Sequence, residues 1–154
     1  MTDIEQRLAN MGVELPEPAA PLAAYVGYVV HGGIMTISGQ LPLRDGKPAY
    51  HGLLGESVTI EDGAAAARLC AINVLAQLRS AVNGDWARVE RCIRLGGFVA
   101  ANSVFEAHPQ VVNGASQLIA DVLGDRGAHA RAAVGVASLP LGVPVEVEAT
   151  FAVR

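Results

Sequence analysis

Aromatic residues are scarce in this chain, at 5% of 154 residues, although hydrophobic residues make up 51%. Apolar surface must therefore come from Ala, Val, Leu and Ile, and a mean hydropathy of +0.34 in so small a domain predicts that another subunit hides part of it. Cysteine is scarcer still. Cys70 and Cys92 are the only two, each among apolar neighbours, and no C-x-x-C spacing occurs, which argues against a disulfide framework and a cysteine zinc site and fits a reducing cytoplasm. Basic residues do not cluster, and the net charge is -4, so the electrostatic footprint of a nucleic-acid binder is missing and no nucleic-acid partner is expected. No 18 apolar residues run together, and the opening "MTDIEQRLANMG" has no apolar signal-peptide core, so a soluble, unexported, cytoplasmic protein with no membrane partner is expected. His31, His51 and His108 are dispersed beside turns, which leaves no ligand set for a metal, and "GLLGE" and "GDRG" lack the spacing of phosphate-binding loops. Neither metal nor cofactor is expected.

What is present is a clear succession of elements. Thr2 and Glu5 have capping-box spacing, with Ile4, Leu8 and Met11 on one stripe and Gly12 as a stop, so a short helix opens the chain. The prolines of "VELPEPAAP" then force an extended linker, and residues 1–21 read as an extension on a single domain over 22–154. "AYVGYVV" and "IMTISGQLP" read as strands joined at a Gly-Gly hairpin, and "LRDGKPAYHGLLGES" as a long surface loop. A helix of more than five turns follows from Thr59, then a strand in "WARVERCIRLGGFVAA", a second long helix with Pro109 in its first turn, and two final strands. The order β-β-α-β-α-β-β defines an α+β protein, and two crossovers of the same hand put both helices on one face of a mixed sheet.

The other face is left bare. In the last strand Val145, Val147, Ala149, Phe151 and Val153 point one way, and Glu146, Glu148, Thr150 and Ala152 the other. In the strand before it Ala132, Val134 and Val136 alternate with Arg131, Ala133 and Gly135. If the larger apolar set faces the helices, Arg131 joins Glu146 and Glu148 on the bare face. There Arg131 is either an ion-pair partner of those glutamates or a planar fork that receives the carboxylate of a small ligand. His129, two residues earlier, shares its side of the strand and has either a structural or entrance role or a relay role. Trp86 reads as a plug at the end of the core, and both cysteines as small buried hydrophobes.

"SGQLP" after the second strand and "ARAAVGVASLPLGVPVEVEATFAV" at the end resemble the paired signatures of the Rid/YjgF family, the reactive intermediate deaminases once labelled L-PSP endoribonucleases. The resemblance runs from about Leu22 to Arg154. It implies a chorismate-mutase-like fold and a homotrimer with three clefts between subunits. It also implies hydrolysis of small 2-imino acids to 2-oxo acids and ammonia, without metal or cofactor. By motif position Arg131 would bind the substrate carboxylate and Glu146 would orient or activate the attacking water. Tyr25 would form a cleft wall, Ser38 and Gly39 the substrate-facing end of the second strand, and the backbone of Ala133 would lie beside the imine. Asn113 matches the family's V-N-x-x-Y, with Ser116 in place of the ring, and Ala133 stands where the family commonly has cysteine; His129 stands where it has proline before "AR". These departures concern the cleft wall more than its anchor. The alternatives are a non-catalytic binder of small carboxylates on the same scaffold and, less favoured by the acidic composition, a ribonuclease.

Overall fold

The computed structural model describes residues 1–154. Helix α1 (Asp3–Asn10) is closed at its start by the reciprocal Thr2–Glu5 capping box. Strands β1 (Tyr28–His31) and β2 (Ile34–Gln40) form a hairpin whose turn places Gly32 and Gly33 at φ of 58° and 77°. Successive positive φ values match the right-handed twist of the strands and are open to glycine at little cost. A two-residue hairpin, β3 (Leu43–Arg44) with β4 (Lys47–Pro48), precedes α2 (Ile60–Ala81), β5 (Val89–Ala100), α3 (His108–Leu123), β6 (Ala130–Val136) and β7 (Val145–Val153). The main sheet has the order β1-β2-β7-β5-β6, with β5 and β6 parallel and the other neighbours antiparallel.

Both long helices cover one face, and the inward residues of β7, from Val145 to Val153, are buried at every second position. Phe151, sealed from solvent, contributes about 1.5–3 kcal/mol of transfer free energy on burial. Trp86 closes the end of this core, and Cys70 and Cys92 lie inside it. Both thiols titrate high: burial pushes Cys92 up to about 12 and Cys70 well above its ordinary range, so neither is a thiolate nucleophile at neutral pH.

Two expectations are corrected by the packing. The stretch Leu43–Ser57 is not only surface loop: Leu54 is fully buried, its amide donates to Ala100 O at 2.9 Å, and its carbonyl accepts from Asn102 N at 3.1 Å. Glycine-rich composition hides such an anchor, because one leucine carries no periodicity. The second correction concerns β6. Leu95 lies opposite Arg131 and Gly97 opposite Ala133, and Leu95 is a core residue, so Arg131 and Ala133 lie on the helix-covered side while Val134, 46% exposed, faces away from the helices. Glu146 and Glu148 lie on that other face, opposite Phe98 and Gly96. Arg131 and Glu146 of one chain are therefore separated by the sheet.

Helix α1 packs in the same core through Ile4 and Leu8, and Arg7 Nη1 donates to Val122 O at 3.2 Å in the last turn of α3. The linker after it runs back along α2, where Arg79 holds Pro16 O and Gln77 holds Ala19 O, each at 3.1 Å.

Candidate functional site

Two groups of predicted site residues form, one on each side of the sheet. The first surrounds Arg131. Its Nη1 donates to Asn113 Oδ1 at 2.8 Å and to Ser116 Oγ at 3.1 Å, and its Nη2 to Pro109 O at 3.2 Å. All three acceptors come from α3, between Pro109 and Ser116, where it packs over β6. None is charged. Arg131 takes part in no ion pair, and Glu148, one of its expected partners, instead meets Arg94 at 3.4 Å. A half-buried guanidinium held by neutral oxygens keeps its full attraction for an anion.

His129 continues this network. Its Nδ1 lies 2.6 Å from Gly127 O, and a carbonyl only accepts, so the proton sits on Nδ1 and Nε2 accepts from Ser116 Oγ at 2.9 Å. Ser116 therefore receives from Arg131 and gives to His129, which holds the guanidinium in one plane. Ala133, partly buried, packs against the core two residues further along β6.

The second group surrounds Glu146. The pairing of β2 with β7 slips between Ile37 and Gln40, a bulge at Ser38–Gly39 that opens the sheet. Ser38 ties the strand before β1 to this bulge, its hydroxyl donating to Val26 O at 2.6 Å and its amide to Gly27 O at 2.9 Å. A Cβ at Gly39 would stand 2.5 Å from Glu146 Oε2, so a side chain there would displace the carboxylate from its present position. The space so preserved is a small cavity of about 60 Å³, walled by Ala19–Leu22 of the linker, Tyr25, Gly39, Gln40, Asn73, Pro140 and Glu146. Tyr25 stands at its rim, about half exposed.

Burial raises the Glu146 carboxyl above its usual range, and the charge of Glu148 adds to the effect. A carboxyl whose folded pKa is raised binds a proton more tightly when folded, so its ionisation costs stability as pH climbs from the ordinary glutamate range through the raised value. Glu146→Gln removes that cost. The variant is expected to melt higher than wild type at neutral pH and to converge with it as pH falls below the ordinary glutamate range; parallel melting curves at all pH values would contradict the strained carboxylate.

The sequence expectation set Arg131, Glu146 and Glu148 on one bare face and the remaining residues in a single cleft; the structure instead gathers Arg131, Asn113, Ser116 and His129 in one group and Glu146, Tyr25 and Gly39 in another. The expectation missed Gln40 and Asn73, buried polar residues at the floor of the cavity. The signal for Asn73 was its position on the apolar stripe of α2, where a buried amide needs partners.

An α+β arrangement with two helices on one face of the sheet, a bulged second strand and a parallel edge strand is that of the chorismate-mutase-like fold. Residues 5–149 match the family described as "YjgF/chorismate_mutase-like, putative endoribonuclease", and the chain belongs to that family. Protein TCP17 of Trypanosoma cruzi is 46% identical over 147 residues, covering 95% of this chain and 91% of its own. The crystal structure of protein Atu1372 from Agrobacterium tumefaciens is 46% identical with a TM-score of 0.93, covering 99% of this chain and 93% of that one. A "putative endoribonuclease" from Shewanella oneidensis is 35% identical with a TM-score of 0.94, covering 97% and 99%. No helix is long and apolar enough to cross a membrane.

Proposed function

We propose that this protein hydrolyses small 2-imino acids to 2-oxo acids and ammonia, in clefts completed by neighbouring copies of the chain in a homotrimer. The observation that carries the reading is Arg131: a half-buried cation, oriented by three neutral acceptors and matched to no carboxylate. That arrangement suits a ligand carboxylate bound in the plane of the guanidinium. Since Arg131 and Glu146 lie on opposite faces of one sheet, a substrate that meets both needs Arg131 from one copy and Glu146 from another. The uncovered sheet face, with Val29, Ile34, Ile93 and Val134 each more than a third exposed, supports such an assembly.

The chemistry asked of these residues is modest. Water adds to the imine carbon, the C–N bond breaks, and one ammonia leaves for each water consumed. Glu146, its pKa raised above the usual glutamate range, accepts a proton from the attacking water and gives it to the nitrogen, then passes on the hydroxyl proton of the resulting carbinolamine as the carbonyl forms and ammonia departs. Arg131 fixes the carboxylate and so the distance between water and carbon, which replaces a bimolecular encounter by a positioned one. No protein nucleophile is required.

The test is ammonia or oxo-acid release from freshly generated 2-iminopropanoate and 2-iminobutanoate, with and without the protein. Acceleration over the uncatalysed reaction is the expected result. Binding of 2-oxo acids without acceleration would instead establish a carboxylate-binding module. Cleavage of RNA that survives loss of Arg131 would establish the ribonuclease reading, which the net charge of -4 does not favour.

A further inference from the structure

The cavity beside Glu146 has a one-sided hydrogen-bonding character that follows from how its two buried amides are used. Gln40 is 6% exposed and Asn73 is 4% exposed. Gln40 Nε2 donates to Ser38 O at 2.9 Å, and Asn73 Nδ2 spends its two hydrogens on Leu41 O at 3.0 Å and Leu43 O at 3.1 Å. Backbone carbonyls only accept, so these contacts leave no freedom to exchange the amide nitrogen and oxygen. Gln40 Oε1 and Asn73 Oδ1 receive no hydrogen bond from the chain, and neither is sealed from solvent. Both residues line the cavity, together with the Glu146 carboxylate, and no Lys, Arg or His does. Tyr25 at the rim supplies the only side-chain hydroxyl.

In the open cavity water can meet these oxygens; a ligand that displaces the water without supplying a donor leaves them unpaired at a cost in free energy. An alkyl group would leave both amide oxygens unmet. A carboxylate would set a second negative charge beside Glu146 and two more acceptors against acceptors. A group with N–H donors satisfies them, and a primary amide does so with its NH2 while its own oxygen can take the Tyr25 hydroxyl proton.

We propose that this cavity is the specificity pocket of the protein and that it selects ligands whose side chain ends in a hydrogen-bond-donating nitrogen, a primary amide or an amine, over alkyl and carboxylate ends. Resting on the imino-acid reading above, the assignment names the substrate class: small 2-imino acids with N–H-bearing side chains. Gln40 and Asn73 are the specificity-determining residues, and the linker segment Ala19–Leu22, pinned by Gln77, forms the wall that limits side-chain length.

Freshly prepared 2-oxo acids of matched shape test the pocket without depending on turnover. The compounds carry –CH2–C(O)NH2, –CH2–CH(CH3)2 or –CH2–COO⁻ beyond the oxo carbon, and binding to the intact protein is followed by titration of amide chemical shifts. The amide compound is expected to bind at least tenfold more tightly than either of the others. In Gln40→Met that preference is expected to fall to threefold or less, chiefly through weaker binding of the amide. Equal or tighter binding of the alkyl or carboxylate compound by wild type overturns the proposal, as does failure of all three to bind, or an unchanged preference in folded Gln40→Met. The imine assay is read separately. Turnover of imines without an amide preference defeats the pocket assignment and leaves the activity standing, whereas an amide preference without turnover of any imine, the amide-bearing one included, defeats the activity and leaves the pocket standing.

Discussion

Arg131→Ala and Glu146→Gln are each expected to abolish most imine hydrolysis, and co-assembly of the two variants is expected to restore a definite part of it. Loss of Arg131 removes two charge-assisted hydrogen bonds to the substrate carboxylate, worth ~1.5–3 kcal/mol each, which lowers kcat/KM by roughly 10²–10⁴-fold. Loss of the Glu146 carboxylate removes the proton acceptor, a loss of roughly 10²–10⁴-fold in kcat. Arg131→Lys should not rescue the first variant, because a point charge replaces the planar fork. Neither change should prevent folding, since Arg131 is only partly buried and Glu146→Gln relieves a desolvated charge.

The mixture is the more informative measurement. In a ring of identical subunits, each cleft would draw Arg131 from one copy and Glu146 from the next, so random 1:1 co-assembly leaves about one quarter of clefts with both groups intact. Co-expressed, differently tagged variants purified as mixed oligomers are freed of the inactive single-variant trimers, and each mixed trimer keeps one intact cleft of its three, so they should show activity near a third of wild type. Mixed oligomers as inactive as either parent would place both groups in one copy's site and contradict the shared cleft.

The largest loss of stability is expected from a substitution that looks beneficial in one dimension. Gly114 lies inside α3, where alanine is favoured over glycine by about 1 kcal/mol on intrinsic propensity. A Cβ at this position would fall on the carbonyl of Ala64 in α2, within 2.7 Å of its carbon. Backbone cannot rotate aside, so the two helices must separate along their contact. Overpacking of this kind costs about 3 kcal/mol. For a chain of this length that corresponds to a fall in Tm of roughly 6–12 °C. Gln117→Ala, on the exposed side of the same helix, should stay within about 0.5 kcal/mol of wild type. A Gly114→Ala protein that melts at or above the wild-type temperature would show that the helices can part at no cost. Because Asn113 and Ser116 flank Gly114 and hold Arg131, displacement of α3 should also weaken carboxylate binding.

Gly114 shows what pattern reading cannot see. Its neighbours in sequence announce a helix, but the reason for glycine is a backbone 50 residues away. Gly39 is similar: within "SGQLP" it reads as part of a motif, and only the bulge in β2 shows that its missing side chain makes room for Glu146. Leu54 gave no signal at all, being a single apolar residue in a glycine-rich stretch that long-range packing draws into the core.

The succession of elements was determined locally. Capping at Thr2 and Thr59, the positive-φ glycines of the first hairpin, the stripe of α2 and the strict alternation of β7 each follow from interactions within a few residues, so the sequence alone determined them and the α+β architecture they imply. Which residues cluster was not determined in this way: the group of Arg131, Asn113 and His129 and the group of Glu146 and Gly39 form only once α3 lies over β6 and β2 bulges beside β7. Only the tertiary structure decided the side of the sheet on which each cluster lies. Alternation defines two faces for every strand but does not say which face of β6 matches which face of β7, and small residues on both sides of β6 give burial little to choose between. The choice was made by α3. Gly97 leaves space for Val112, Ala133 packs beside it, and Asn113 and Ser116 supply oxygens to Arg131, so β6 turns its arginine side to the helix and exposes Val134. Hydrogen-bonding a partly buried guanidinium outweighed hiding one valine, because an unmet buried charge costs more than the transfer of a single side chain.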